Sequence, residues 1–386
     1  IKNIISKHWL STDFNPKILK RKSIKPSKDP HDFLMVWDKL QSLDNESFIN
    51  QWKKLEAEVN QSKSRLKAFV ETDYPKLWDM SNPNTYDSWK KSGTGLKDKA
   101  DKAGAFTLSL KGNKIIEHIY PAGVYTHLLS TKENGTFSSP RFKFNEGNLW
   151  LRVIGDKGSS FRYSVWNYPR RGTVYPKSSP EPSSLKWYRF NTNYWAGETG
   201  YIEITTNRDH PVEAGNTNRS WFGMTEALQS KPGQPNPQNE IAEVLSSLFS
   251  KPINQLNRSN LARRYSEVIK QTVEAWASNK ITKEQSLILL SLLKHDVLPN
   301  NLSEIPSCLE PLKKYRELEA KVPIPKLTPG ILDGVPFDQA LFERGNHKKP
   351  AHKVPRRFLE AIDETPYPKN TSGRLELATD LLREDN

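Results

Sequence analysis

The feature that most constrains the fold is a series of short alternating runs across residues 104–229. Apolar residues recur at every second position in four of them, at 106–110, 149–154, 161–166 and 201–205. A period of two is the pattern of a half-buried β-strand. Short strands at this spacing, separated by turn residues and without helical periodicity between them, indicate a sandwich or a barrel. We therefore predict an antiparallel β-sandwich, with a jelly roll as the preferred topology.

Helical periodicity flanks this region on both sides. Apolar residues recur at spacings of three and four over 33–69, which predicts two amphipathic helices. Similar stripes predict further helices at 236–249, 261–276, 287–293, 312–320 and 374–383. Two capping boxes support these helices, Thr282 with Gln285 and Ser307 with Glu310. The basic residues 1–30 and the proline-rich residues after 322 are predicted to be irregular or extended.

These patterns divide the chain into four parts. We predict a helical N-terminal segment at 1–84, a β-sandwich at 85–229, a helical bundle at 239–322 and an extended tail at 323–386. The fold class is therefore α+β and multidomain, with the antiparallel sandwich inserted between helical segments.

The composition limits the partners and cofactors that we expect. The net charge of +14 favours acidic partners, although a solvated basic surface is the simpler explanation. No nucleic-acid-binding signature accompanies the basic residues, so nucleic acid is not an expected partner. The single Cys308 excludes a disulfide framework, a Cys-rich metal site and covalent c-type haem within this sequence. No His pair has metalloprotease spacing, and no apolar run is long enough to span a membrane.

Several motifs together resemble a known family. They are P-A-G-V-Y-T-H-L-L-S (121–130), N-Y-P-R-R-G-T-V-Y-P (167–176), Y-W-A-G (194–197), R-S-W-F-G (219–223), F-E-R-G-N-H-K-K-P (342–350), V-P-R-R-F-L (354–359) and S-G-R-L-E-L-A (372–378). This set resembles the large secreted proteins of planctomycetes and relatives that pair two domains of unknown function behind a cytochrome-like haem domain. The last motif resembles the start of the family's planctomycete-specific C-terminal domain, and the first four resemble its inserted β-domain.

The resemblance implies a setting rather than a reaction. It implies an extracytoplasmic protein, periplasmic or on the cell surface, that occurs beside polysaccharide-degrading enzymes. Any haem would belong to an N-terminal domain outside this sequence, so we expect no cofactor in this chain. The sandwich also resembles the galactose-binding-like jelly rolls common among carbohydrate-binding modules, which is an analogy of fold. We interpret Ile1 and Asn386 as cuts from a longer protein.

Three loops of the sandwich offer aromatic rings beside planar polar groups. A glycan site needs a flat aromatic face for the C–H surface of the sugar and polar groups for its hydroxyls. The candidate binding residues are Trp166, Asn167, Tyr168 and Arg170 in the first loop, Tyr194 and Trp195 in the second, and Arg219 in the third. The alternative is that the tryptophans fill the core and that the arginines pair with Glu203 or Asp209.

Two functional hypotheses follow from these observations. The first is a fragment of a secreted bacterial protein whose sandwich contacts polysaccharide, acidic or sulfated glycans included, within a parent protein that acts in polysaccharide breakdown. The second is an enzyme, a hydrolase or a haem-linked oxidoreductase, with a site around Arg344, Asn346, His347 and Arg356. No catalytic motif occurs in the chain, so catalytic residues are not assigned. A further alternative is that the sandwich only braces the helices.

Overall fold

The computed structural model describes residues 1–12, 29–71, 76–166, 172, 174–209, 219–250, 257–326, 336–346 and 349–384. The chain forms two compact units, at 1–325 and 326–386. No helix within the described ranges is long and apolar enough to cross a membrane.

The larger unit contains two antiparallel sheets. The strands of the inner sheet are β1 (Lys76–Asp79), β5 (Val124–Tyr125), β8 (Asn148–Gly155), β11 (Lys186–Asn191) and β13 (Phe222–Ser230). The strands of the outer sheet are β2 (Lys90–Ser92), β6 (Thr136–Ser138), β7 (Phe142–Lys143), β9 (Ser160–Val165), β10 (Lys177–Ser178) and β12 (Thr199–Thr205). The spatial order is β1-β13-β8-β11 in the inner sheet and β10-β9-β12-β6-β2 in the outer sheet. A separate hairpin joins β3 (Ala105–Leu108) to β4 (Ile116–Tyr120).

The two sheets pack face to face over one apolar core. Leu151 and Val153 of β8 meet Phe161 and Tyr163 of β9 and Ile202 of β12 in that core. From β8 to β13 the chain passes repeatedly from one sheet to the other, which is the connectivity of a jelly roll. The predicted antiparallel sandwich between helical segments is confirmed.

The central strands of the inner sheet, β8 and β13, are buried on both faces, unlike the half-buried strands that the alternation predicts. Every residue of β13 is buried, and so are Trp150, Arg152 and Ile154, which alternate with the core residues of β8. Trp150 and Leu228 contact each other on this second face, and Phe69 packs against them. Helices therefore cover the side of the inner sheet that would otherwise face water.

These helices come from both ends of the larger unit. Their bounds are α1 (Lys2–Ser11), α2 (Met35–Leu40), α3 (Asn45–Glu71), α4 (Pro83–Ser88), α5 (Ala242–Leu245), α6 (Arg258–Ala277), α7 (Lys283–Lys294) and α8 (Leu309–Lys321). Apart from α4, which packs into the sandwich core, they share one hydrophobic core that also takes in Ile116 and Ile119 of β4. We call this group the helical layer. The capping box of Thr282 and Gln285 is present at the start of α7, as predicted.

Three local predictions differ from the structure. Residues 2–11 form α1 rather than an irregular segment, because Ile5 and Trp9 are buried and the Trp9 ring stacks on Trp276 at 5.0 Å. The second capping box does not form, since Ser307 lies inside a 3₁₀ turn at Pro306–Cys308 and α8 begins after it. The helix predicted at 236–249 is reduced to α5.

The predicted domain boundary at residue 85 falls within the sandwich sequence. Strand β1 precedes it and pairs with β13 at Trp78↔Ala227 and Asp79↔Glu226. The side chains of Tyr86 and Trp89 also lie in the sandwich core. The sandwich therefore begins near residue 76.

The smaller unit is held mainly by polar contacts. It contains a hairpin of β14 (Gln339–Phe342) and β15 (Pro350–Val354) and the helix α9 (Arg374–Leu381), which agrees with the helix predicted at 374–383. The hairpin replaces part of the extended tail predicted there. Arg356 pairs with Asp338 at 3.1 Å, and the Tyr367 hydroxyl donates to Asp380 at 2.6 Å. Among its described residues no large apolar side chain is buried.

Candidate functional site: an aromatic patch at one end of the sandwich

Strand register brings two of the three candidate loops together. Val165, the last residue of β9, pairs with Gly200 near the start of β12. Trp166 follows directly, and its amide donates to the Thr199 carbonyl at 2.8 Å. Tyr194 and Trp195 lie in a 3₁₀ turn at Asn193–Trp195, just before β12. These loops therefore share one end of the sandwich.

We call five of the described aromatic residues at this end the aromatic patch: Trp166, Tyr175, Tyr194, Trp195 and Tyr201. The centre of the Trp195 ring lies 4.7 Å from that of Tyr194, in an edge-to-face contact, and 5.3 Å from that of Tyr175. Its indole nitrogen donates to the Val174 carbonyl at 2.6 Å, and the ring packs against the sandwich core. Tyr194 rests on this support and remains 71% exposed.

Two charged residues, Glu198 and Arg141, connect aromatic residues of the patch. The Trp166 indole N–H donates to Oε2 of Glu198 at 2.8 Å, and the Glu198 amide donates to the Trp195 carbonyl at 2.9 Å. Arg141 donates to the Trp166 carbonyl at 3.2 Å, and its guanidinium lies 5.8 Å from the centre of the Tyr201 ring. Burial lowers the pKa of Arg141 and raises the pKa of the Tyr201 hydroxyl.

The turn that carries Tyr194 is fixed to the strands around it. The Asn193 side chain accepts a hydrogen bond from the Gly147 amide at 2.6 Å, and the Thr192 hydroxyl donates to the Asn145 carbonyl at 2.8 Å. The Phe144 carbonyl accepts from the Gly197 amide at 2.8 Å. A ligand would therefore meet aromatic rings held on a rigid scaffold, the usual arrangement of binding loops.

Arg219 lies at the opposite end of the sandwich. It precedes Phe222, which pairs with Gly155, the residue at the far end of β8. Because the strands between the two ends rise roughly 3.3 Å per residue, the ends are about 17 Å apart. Arg219 therefore does not join Trp166, Tyr194 and Trp195 in one site.

The contacts of Arg219 indicate a structural role, because they connect the sandwich to helix α8. Its guanidinium donates to both carboxylate oxygens of Glu319 in α8, at 2.7 and 3.0 Å, and to the Thr131 hydroxyl at 2.7 Å. The hydrogen bond to Glu319 raises the pKa of Arg219. The alternative predicted an ion pair with Glu203 or Asp209. The arginine is indeed paired, but Glu319 is its partner, and Glu203 pairs instead with Arg162.

Asn167, Tyr168 and Arg170, the other candidates of the first loop, lie outside the described residues, as does His347 of the enzyme hypothesis. Arg344, Asn346 and Arg356 belong to the smaller unit. No group of three or more His, Cys, Asp or Glu side chains in the described part of the chain is placed to hold a metal ion.

Tyr175, Glu198 and Tyr201 were not among the sequence candidates. Tyr175 lies within a motif quoted for the family resemblance, Glu198 directly follows another, and Tyr201 begins the alternating run at 201–205. These patterns could have indicated the three residues.

No family model and no curated protein matches the chain. Solved structures similar to it include the carbohydrate-binding module TmCBM61 in complex with beta-1,4-galactotriose, at 14% identity and a TM-score of 0.22, over 38% of this chain and 90% of that chain. A mutant of a family 29 carbohydrate-binding module has 11% identity and a TM-score of 0.25, over 43% of this chain and 98% of its own. The glycoside hydrolase domain of Endo-D from Streptococcus pneumoniae R6 has 12% identity and a TM-score of 0.23, over 39% of this chain and 22% of that chain. Two of these three structures are thus carbohydrate-binding modules, and the third is a glycoside hydrolase domain.

Proposed function

We propose that the sandwich binds polysaccharide through the aromatic patch. The observation that carries this proposal is Tyr194, whose ring is 71% exposed yet supported edge to face by Trp195. An exposed aromatic ring on a rigid turn has an unsatisfied apolar face, and such a face beside polar groups suits a ligand with both C–H and hydroxyl surfaces.

We further propose that acidic or sulfated glycans are among the ligands. Lys143 is exposed and lies opposite Thr199 at the same end of the sandwich, and Arg141 contacts Trp166 and Tyr201 of the patch. The net charge of +14 would attract a polyanion over longer distances. Binding of this kind should weaken as salt screens the exposed charges.

Affinity electrophoresis of the whole protein, in gels with and without neutral and sulfated polysaccharides, tests the proposal. We expect retardation by at least one glycan, and Tyr194→Ala should weaken that binding at least about fivefold. Loss of a central aromatic contact costs on the order of 1–2 kcal/mol. Comparing a sulfated glycan with its desulfated form across salt concentrations separates the charge contribution from stacking.

Leu129→Ala is the matched control for Tyr194→Ala. Leu129 is 62% exposed and lies near Thr131 and Arg219, at the other end of the sandwich. Its truncation removes exposed apolar surface without touching the patch, so binding should be unchanged. Equal loss in both variants contradicts the proposed site, and no retardation of the unmodified protein by any glycan contradicts the function.

The wider setting remains a proposal that rests on the family resemblance. It includes the extracytoplasmic location, the cytochrome-like domain with its haem, and a parent protein in polysaccharide breakdown. The enzyme hypothesis stays a prediction, since no contact among the described residues favours it.

A further inference from the structure

The backbone at Trp166 is unusual. Its φ angle is +54°, in the left-handed region that bulky residues rarely occupy. Asn279, with φ +57°, is the kind of residue that tolerates this region, whereas tryptophan gains nothing intrinsic from it. Such conformations persist where surrounding contacts determine them, and they concentrate at functional sites.

Among the residues that the structure describes, three hydrogen bonds hold Trp166 in this conformation. Its amide donates to Thr199 at 2.8 Å, its carbonyl accepts from Arg141 at 3.2 Å, and its indole N–H donates to Glu198 at 2.8 Å. The first belongs to the main chain and is available to any residue at this position. The other two depend on side chains, and the Glu198 bond also orients the ring.

Glu198 and Arg141 also contact aromatic residues of the patch other than Trp166. Glu198 is bonded through its amide to Trp195, and Arg141 lies over Tyr201. A change in either residue would therefore alter how the rings lie relative to one another, although the ring that we expect to stack on the ligand is that of Tyr194.

We propose that Arg141 and Glu198 are positioning residues that hold Trp166 in its left-handed conformation and so preorganise the aromatic patch before a glycan arrives. The binding readout of this inference rests on the proposed function. A patch ordered in advance loses less conformational freedom on binding, and so binds more tightly than the same rings left mobile.

Glu198→Ala, Glu198→Gln and Arg141→Met, made in the whole protein, test the inference. We expect Glu198→Ala and Arg141→Met to weaken binding of the retained glycan about three- to tenfold, because the rings lose their fixed arrangement. Glu198→Gln keeps an acceptor for the indole N–H, so it should bind a neutral glycan like the unmodified protein. Urea unfolding of Glu198→Ala should show no loss of stability, since release of the left-handed backbone offsets the lost hydrogen bond.

A second readout does not depend on binding. The indole N–H signal of Trp166, identified by its absence from the spectrum of Trp166→Phe, should keep its chemical shift in Glu198→Gln. It should move and exchange faster with solvent in Glu198→Ala. A merely structural role predicts that affinity and stability fall together in Glu198→Ala, and that result overturns the inference.

The outcomes separate the two proposals. If the unmodified protein binds glycan and neither Glu198→Ala nor Arg141→Met weakens the binding, the positioning role is wrong while the proposed function stands. Equal weakening by Glu198→Gln and Glu198→Ala also overturns the positioning role, because it assigns the effect to charge. If the unmodified protein binds no glycan, the proposed function fails, and an altered indole signal at unchanged stability still supports the positioning.

Discussion

The protonation of His118 depends strongly on its place in the fold. It lies in β4, its ring stacks on Tyr120 at 4.3 Å, and it borders a cavity of about 20 Å³ beside α7. Burial, followed by the nearby charges of Lys294 and Lys114, lowers the pKa of His118 to about 3. The unfolded chain takes up this proton near pH 6.5, so it binds more protons than the folded state between pH 6.5 and 3. Stability should therefore fall as the pH drops through this window.

His118→Phe tests this dependence, since phenylalanine keeps a ring to stack on Tyr120 and cannot titrate. Between pH 7 and pH 5 the unmodified protein should lose up to about 2 kcal/mol more unfolding free energy than the variant. Urea unfolding of both proteins at the two pH values measures the difference. If both proteins lose the same unfolding free energy between the two pH values, His118 contributes nothing to the acid sensitivity.

At the residue scale, sequence identified the right types of residue but not their roles. Tyr194 and Trp195 are adjacent, and only the structure shows that Trp195 supports Tyr194, through contacts with Val174 and Tyr175 earlier in the chain. The Arg219–Glu319 pair joins residues 100 positions apart. Periodicity reports local structure and holds no information on such a pair.

At the scale of elements, a buried ionic network joins the inner sheet to the helical layer. Arg152 of β8 donates to Glu226 at 3.1 Å and to both oxygens of Glu243 at 2.8 Å. Lys283 and His31 each contact Glu243 at 2.9 Å. Burial alone would raise the pKa of Glu243, but Arg152 and Lys283 hold it well below its ordinary value. Glu243 and Arg152 therefore stay ionised at neutral pH.

Arg152→Met should lower the free energy of unfolding by about 3–5 kcal/mol, because it leaves two buried carboxylates without their main partner. Arg263→Met is the matched control. Arg263 lies 4.0 Å from Glu267 on the exposed face of α6, and pairs of that kind contribute less than about 1 kcal/mol. Denaturant unfolding of the two variants measures both effects, and similar losses in both would contradict the role of the network.

Strand β8 shows what the sequence pattern cannot predict at this scale. Alternation predicted β8 and the faces of its residues correctly, but it also predicted that Trp150 and Arg152 face solvent or a partly covered surface. Helices that are distant in sequence bury that face, and a period of two is the same whether the second face is wet or covered. Burial on both faces follows from tertiary packing alone.

At the scale of the whole molecule, the sandwich and the helical layer form parts of one compact unit. The N-terminal and C-terminal helices share one core, and the central strands of the inner sheet, β8 and β13, have almost no surface left for water. Sequence predicted the helices and the sandwich, but not that helices from both flanks meet on the same sheet. The boundary near residue 85 was wrong for a related reason, since β1 belongs to the sandwich only through its pairing with β13.

Residues 76–230 should therefore not fold alone, although they contain the whole sandwich. Removal of the helices exposes Trp150, Leu228 and the charges of Arg152 and Glu226 together. We expect the isolated segment to aggregate or to show no cooperative unfolding transition, whereas the whole chain shows one for residues 1–325. A soluble segment with a sharp thermal transition would contradict this.

The most direct test of the central claim is a hydrogen–deuterium exchange map of the whole protein, recorded with and without a retained oligosaccharide. Binding at the aromatic patch predicts slower exchange at Trp166 and residues 193–201, with no change at 129–131 and 219–221. Protection confined to the Arg219 end, or unchanged exchange at 193–201 under saturating oligosaccharide, would contradict the account.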